Sequence, residues 1–257
     1  MNPIYELFID ARGCFYEILI NDVPVYFHYN IGATAFRLPV NSFFPKKGEQ
    51  KISLRMISVV EGKPFPQGAE VILNIDEYPQ GFPRERKVVF KYKTEPFEKD
   101  NKGVFIVEKK ISVNVPYTLI NWEDGIDLRK ENKEVLKEQL WKVYQEYTLA
   151  FGNKDLSKYR ELTKLRQKNI FISMYYTPEQ IEQAEMSYVE GIQNETVKLY
   201  PLENYQLVFH GGGKLVGLQM PKDAPGIFID NDDEENTFME YILFYRKSKD
   251  LPLSIIS

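Results

Sequence analysis

The feature that most limits what this chain can fold into is a change of apolar period near Pro116. Before it, apolar residues come in short, often alternating runs broken by Pro, Gly, Asn and Asp. Beyond it they recur every third or fourth position for some sixty residues, then return to short runs. Alternation suits strands with one wet face, and a step of three or four suits one face of a helix. The chain therefore reads as β-rich and in two parts.

In the first part the candidate strands are Tyr5–Ile9, Cys14–Ile20, Val23–His28, Ala35–Val40, Gln50–Val60, Glu70–Ile75, Arg86–Tyr92 and Gly103–Val115. Asn21-Asp22 lies between two apolar runs, and both residue types tolerate positive φ, so a tight hairpin is expected there. Lys51-Ile-Ser-Leu-Arg-Met56 alternates as a half-buried strand should. Pro64, Pro66, Pro79, Pro83 and Pro96 fall in the gaps, where a missing ladder donor does least harm. The 17 Phe and 17 Tyr lean the same way, since aromatics favour pleated, half-buried surfaces. Residues 1–116 are expected to form an antiparallel β-sandwich.

Within it, Tyr16-Glu-Ile-Leu-Ile-Asn-Asp-Val-Pro-Val-Tyr26, Phe36-Arg-Leu-Pro-Val40 and Gly48-Glu-Gln-Lys-Ile-Ser-Leu-Arg55 resemble the jelly-roll domains called galactose-binding-like. There a strand ends in an Asn-Gly turn and a later Gly-Glu-Asn precedes a strand; here Asp22 and Gln50 stand in the Gly and Asn places. The resemblance spans residues 14–58. It implies a jelly-roll-like sandwich and carries no sugar site with it.

Residues 117–126 read as a packed connector, with Tyr117, Leu119, Ile120 and Trp122 expected to pack between the parts. From 127 to 257 an α+β domain is expected. Leu128, Val135, Leu136, Leu140, Val143, Tyr144, Tyr147 and Phe151 form the stripe of a first helix, with Gly152 at its C-cap. A second helix covers about Leu156–Lys168. A third starts at Thr177-Pro-Glu-Gln180, a capping box with proline in the first turn, and turns Ile181, Ala184, Tyr188 and Ile192 inward. Strands are expected at Tyr205–Phe209, Lys214–Met220, Gly226–Asp230, Thr237–Arg246 and Leu251–Ile256, so that three helices pack on a four- or five-stranded antiparallel sheet. This order resembles the NTF2-like α+β cone.

Charge and cysteine content narrow the function. Net charge is +2 before Pro116 and −6 from there on, so neither part has the concentrated positive field that phosphate backbones require. Nucleic acid is excluded as an expected partner. Cys14 is the only cysteine, which rules out an intrachain disulfide and a thiolate cluster, and it reads as a small buried hydrophobe. No apolar run reaches the ~18–20 residues of a membrane span. The start, Met1-Asn-Pro-Ile-Tyr-Glu-Leu-Phe-Ile-Asp10, lacks the basic and apolar regions of a secretion signal. A cytoplasmic protein is expected as written, and an exported or periplasmic one if a signal has been removed.

No motif assembles a catalytic set, so no catalytic residue, cofactor or metal is expected. His210-Gly-Gly-Gly213 looks like an oxyanion loop, but the Gly-x-Ser-x-Gly elbow it would serve does not occur, and a Gly-rich hairpin explains it. His28 and His210 are too few for a multi-histidine metal site. Asp230-Asn-Asp-Asp-Glu-Glu-Asn236 lacks the order of a calcium loop; as a solvated loop, its Asp230, Asp232, Asp233, Glu234 and Glu235 could steer a basic partner. Aromatics cluster at Tyr26-Phe-His-Tyr29, Phe43-Phe44 and Met174-Tyr-Tyr176. If exposed together, Tyr26, Tyr29, Tyr175 and Tyr176 would be rigid anchors for a protein or stacking surfaces for a sugar.

The leading expectation is a non-enzymatic protein-binding module, with the acidic half as its binding side. A specific form of it is a bacterial immunity-type inhibitor that occludes a toxin or hydrolase. One alternative is a carbohydrate-binding protein acting through the sandwich. Another is an NTF2-like small-molecule binder or enzyme with a pocket walled by Tyr144 or Tyr159.

Overall fold

The computed structural model describes residues 2–192, 195–223, 226–231 and 237–256, without the side chains of 188–192, 195–198, 228–231 and 237–239. The chain divides into two compact units: Met1–Leu119 with Ser173–Tyr175, and Ile120–Ile172 with Tyr176–Ser257. The division falls inside the expected connector, with Tyr117 and Leu119 in the first unit and Ile120 and Trp122 in the second.

The first unit contains β1 (Pro3–Arg12), β2 (Phe15–Ile20), β3 (Val23–His28), β4 (Thr34–Pro39), β5 (Lys46–Ile57), β6 (Glu70–Pro79), β7 (Lys87–Lys93) and β8 (Val104–Thr118). Each corresponds to one expected strand. They form two antiparallel sheets, ordered β4-β1-β6-β7 and β3-β2-β5-β8. Alternation dictates what each sheet buries. Tyr5, Leu7 and Ile9 of β1, with Leu73 and Ile75 of β6, meet Tyr16, Ile18 and Ile20 of β2 and Ile52, Leu54 and Met56 of β5 in one core. Side chains of this size contribute about 1.5–3 kcal/mol each on full burial. Asn21 and Asp22 take φ of 53° and 64°, so the β2–β3 hairpin turns through two left-handed residues, as its sequence requires.

One buried polar group ties distant segments of this unit together. Asn41 accepts the Tyr5 amide on Oδ1 at 2.7 Å, and its Nδ2 donates to the carbonyls of Pro3 (2.9 Å) and Ser173 (3.1 Å). Gln80 Nε2 donates to the carbonyls of Met174 (3.1 Å) and Tyr175 (3.2 Å). The tripeptide Ser173–Tyr175 is thus hydrogen-bonded into a unit otherwise built from residues before 120.

The second unit holds α1 (Lys133–Gly152), α2 (Leu156–Ser173, whose last residue belongs to the first unit) and α3 (Pro178–Ile192). It also holds β9 (Glu195–Lys198), β10 (Gln206–His210), β11 (Leu215–Gln219), β12 (Gly226–Asn231), β13 (Thr237–Tyr241), β14 (Phe244–Tyr245) and β15 (Ser254–Ile255). Asn132 caps α1 by accepting the amides of Glu134 and Val135. The helix therefore starts after Leu128, which the expected stripe included, and Leu128–Lys130 forms a separate short turn. Gly152 belongs to the last helical turn rather than the C-cap; the left-handed residue that ends the segment is Lys154. The capping box of α3 forms in both directions, Gln180 N to Thr177 Oγ1 (3.3 Å) and Thr177 N to Gln180 Oε1 (2.9 Å). Of its expected inward residues, the side chains of Tyr188 and Ile192 lie outside the described residues.

The single expected sheet is in fact two among the described residues, β10-β11-β14-β15 and β13-β12-β9. The expected strand Thr237–Arg246 divides at Ile242-Leu243, two consecutive buried residues that break the alternation of a strand. β13 stays with β12, while β14 pairs with β11. Leu136, Leu140, Tyr144, Tyr147, Ala150 and Phe151 of α1 pack with Val216, Leu218 and Phe244 in a second core.

An ion pair crosses this core. Arg166 of α2 donates to Glu240 Oε1 and, at 3.0 Å, to the Tyr159 hydroxyl, and Tyr147 donates to Glu240 Oε2. The Arg166 and Glu240 side chains are only 11% and 16% exposed. Burial by itself would lower the guanidinium pKa, but the adjacent Glu240 carboxylate holds it well above its ordinary value.

Candidate functional site: the outer face of the β3-β2-β5-β8 sheet

A strand that buries one face must turn the other outward; in this sheet the outward face is mostly charged, as at Lys51–Glu108 and Lys110–Glu49, but two rows at one end are largely apolar. Register places Phe15 beside Ile57 and Ile57 beside Val104 in one cross-strand row. In the next row Phe27 neighbours Glu17, Glu17 neighbours Arg55, and Arg55 neighbours Ile106. The strands of a sheet are spaced ~4.8 Å apart, so the three-strand row spans about 10 Å and the four-strand row about 14 Å. Val104 is 51% and Ile106 63% exposed, although both are β-branched side chains on a regular strand.

Three rings border the β3 side. Tyr29, just past β3, meets Phe15 at 6.1 Å with planes 63° apart, and Phe27 at 6.1 Å with planes 80° apart. Its hydroxyl donates to Glu17 Oε1, which also accepts from Arg55 Nη1 at 3.2 Å. The one carboxylate in the middle of the apolar face thus already holds a hydroxyl and a guanidinium. A covering surface would bury it without leaving an unpaired charge, which is the condition for closing over an ion cheaply.

Of the expected anchors, only Tyr29 belongs to this face. Tyr26 turns to the opposite side of β3, where its ring lies 4.6 Å from Phe36 and 5.9 Å from Tyr16, and burial raises its phenol pKa. Tyr175 donates its hydroxyl to Pro3 O at 3.1 Å and packs against Tyr117 in the first unit, so its contacts serve the fold. Tyr176 belongs to the second unit, where it is 36% exposed and stacked on Phe171 at 5.7 Å. Asp230 lies on β12 with its side chain outside the described residues, as are Asp232, Asp233, Glu234 and Glu235 altogether.

Sequence reading passed over Phe15, Glu17, Arg55, Ile57, Val104 and Ile106, and included Phe27 only as part of the Tyr26–Tyr29 aromatic cluster. One signal was available: Val104-Phe-Ile-Val107 is four apolar residues in a row, and a strand with one wet face should alternate.

Other expected sites resolve into packing. Gly211, Gly212 and Gly213 all take positive φ, and a Cβ on Gly211 would meet Trp122 Cδ1 at 2.5 Å, so conformation and close approach account for glycine there. Tyr144 and Tyr159, the expected pocket walls, are buried in the second core. Among the described residues no group of three or more His, Cys, Asp or Glu side chains is arranged to hold a metal ion, and no helix is long and apolar enough to cross a membrane. Comparison with protein-family models, with curated proteins and with solved structures finds no match to this chain.

Proposed function

We propose that this chain is a non-enzymatic protein-binding module that docks a partner protein on the outer face of the β3-β2-β5-β8 sheet. The carrying observation is that Val104 and Ile106 stand exposed in rows with Phe15, Ile57 and Phe27 around a satisfied Glu17–Arg55 pair. Apolar surface of this kind, exposed at Val104 and Ile106 and half-buried at Phe15, Phe27 and Ile57, with a neutralised ion among them, is of the sort found at interaction faces. A sugar fits this face less well. The ring of Tyr29 is steeply tilted to both neighbours, so these rings make no common stacking platform, and Glu17 and Arg55 are already engaged with one another.

In the same reading the first unit is a jelly-roll-like sandwich, supported by its two four-stranded sheets over one core, and the second an α+β domain of NTF2-like kind, supported by α1 lying on β11 and β14. The immunity-type inhibitor is the particular form we favour, because occlusion needs a preformed surface and no chemistry.

The test is site-specific photo-crosslinking in the native host, with a benzophenone side chain at position 106 and, as control, at position 89 on the other sheet. An adduct specific to 106 should identify the partner. With that partner purified, Ile106→Glu should weaken binding about 30-fold or more, the scale of a hot-spot loss of ~2 kcal/mol, without changing Tm. Equal adducts at both positions, or affinity unchanged in Ile106→Glu, would refute the proposal.

A further inference from the structure

A second, independent surface lies in the other unit. Ser157, Arg160, Glu161, Lys164, Gln167, Lys168, Phe171 and Ile172 follow one face of α2 and, with Ile181 and Glu185 of α3, line a groove of about 620 Å³. From Ser157 to Ile172 the groove runs ~22 Å at ~1.5 Å rise per residue, roughly four helical turns. Phe171, Ile172 and Ile181 make its apolar end, and the ring of Phe171 is fixed by Tyr176 stacked on it at 5.7 Å. The open groove is mostly apolar in lining, consistent with long basic side chains laying their methylene stems along a surface while their charges stay in water.

The charges along the rim are unevenly paired. Arg160 reaches Glu185 at 3.0 Å, and Lys158 reaches Glu146 at 3.1 Å and Glu161 at 3.4 Å. That consumes the carboxylates of the groove. Lys164 and Lys168 are exposed one turn apart with no ion-pair partner among the described residues. Lys168 stands three and four residues before Phe171 and Ile172, so the ammonium groups of Lys168 and Lys164, unpaired among the described residues, lie one and two turns from the apolar end.

We propose that this groove binds an acidic amphipathic helix of a partner protein. An apolar side chain seats against Phe171, Ile172 and Ile181, and carboxylates one and two turns away meet Lys168 and Lys164. The occupant is helical because the groove is walled by helix faces. These present no strand edge, so an extended segment would leave its amides and carbonyls without a ladder, whereas a helix satisfies its own backbone and offers anchors at i, i+3, i+4 and i+7. It is acidic because the uncompensated charge is positive, although the half of the chain carrying it is acidic as a whole.

The experiment uses the full chain and two fluorescein-labelled 18-residue model helices. Both carry Leu at i, i+3, i+4 and i+7; one has Glu flanking the leucines and its twin has Lys. Fluorescence anisotropy should show the Glu helix binding and weakening as salt rises, with the Lys helix at least tenfold weaker. Lys164→Glu/Lys168→Glu, at two exposed positions that leave the circular dichroism spectrum unchanged, should cost the Glu helix about tenfold or more and improve the Lys helix, on the scale expected when two exposed ion pairs are reversed. Ile172→Asp should weaken both. Absence of binding, equal affinity for the two helices, or indifference to the double charge reversal would overturn the proposal. None of these substitutions touches the sheet face of the first unit, so the two surfaces fail or survive separately.

Discussion

Replacing Glu240 by Gln is the most informative single perturbation of the second unit. It removes the charge that compensates Arg166 while keeping side-chain volume and a hydrogen-bonding amide. The pair is nearly enclosed, and Arg166 has as other partners the Tyr159 hydroxyl at 3.0 Å and, marginally, the Tyr241 carbonyl at 3.4 Å. Both are neutral groups. Taking one member from a buried pair leaves an uncompensated charge and costs about 3–5 kcal/mol, and the retained amide argues for the lower end, ~3 kcal/mol. With a urea m-value of roughly 1–3 kcal/mol/M, the midpoint should fall by roughly 1–3 M. The readout is local, since the only two tryptophans, Trp122 and Trp141, both belong to this unit. Their fluorescence during urea titration follows its unfolding. Adding Arg166→Met should then recover a large part of the loss, because the stranded guanidinium is gone and the amide introduced at position 240 can still accept from Tyr147. A loss below ~0.5 kcal/mol for Glu240→Gln, or a double variant as unstable as the sum of the singles, would refute the reasoning.

Three further outcomes follow from the first unit. His28 is stacked on Tyr16 with its Nε2 buried and, among the described residues, unpartnered, and burial lowers its pKa below the usual 6.5, partly offset by a backbone hydrogen bond at Asn30. The folded state then favours neutral imidazole. The associated stability is complete above pH ~6.5 and is lost as pH falls through the folded pKa; equilibrium unfolding from pH 7 to 5 should show this slope in wild type and a shallower one in His28→Phe. Cys14 is buried with its thiol pushed up to about 12, so Ellman's reagent at pH 8 should leave it unmodified until urea unfolds the chain; rapid native labelling would contradict its placement. Asn41→Ala strands the Tyr5 amide and two carbonyls in a buried setting and should cost about 2–4 kcal/mol by differential scanning calorimetry, whereas a Tm unchanged to within a degree would mean these bonds contribute nothing.

What was legible in the sequence had local causes. The eight strands of the first unit were marked by alternation and by Pro64, Pro66, Pro83 and Pro96 in the gaps, whereas Pro79, expected in a gap, closes β6 opposite Pro3. Asn21-Asp22 could be placed because few residues accept two positive φ values in succession. Thr177 and Gln180 announced a helix start through a reciprocal bond spanning three residues. What escaped depended on register between distant segments. Ile106, Arg55, Glu17 and Phe27 become a row only once β8, β5, β2 and β3 are aligned, and no local pattern encodes that alignment. Tyr26 and Tyr29 read alike in the sequence, yet Tyr26 packs inward while Tyr29 borders the outer face. The split at Ile242-Leu243 was hidden by an unbroken apolar run, which suits a single long strand and a chain changing sheets equally well.

The tripeptide Ser173–Tyr175 has a consequence for biogenesis. On the ribosome, residues 1–119 emerge first with all eight strands of their unit, yet the second acceptor of Asn41 Nδ2, Ser173 O, and both acceptors of Gln80 Nε2 appear only after more than fifty further residues are translated. The nascent sandwich must wait, with one seam open, for chain that is still being made. A fragment ending at residue 119 should therefore resemble that waiting state, with faster amide exchange at Pro79–Gly81 and around Asn41 than the same segments show in the whole protein, and equal protection would show that the seam closes without the tripeptide.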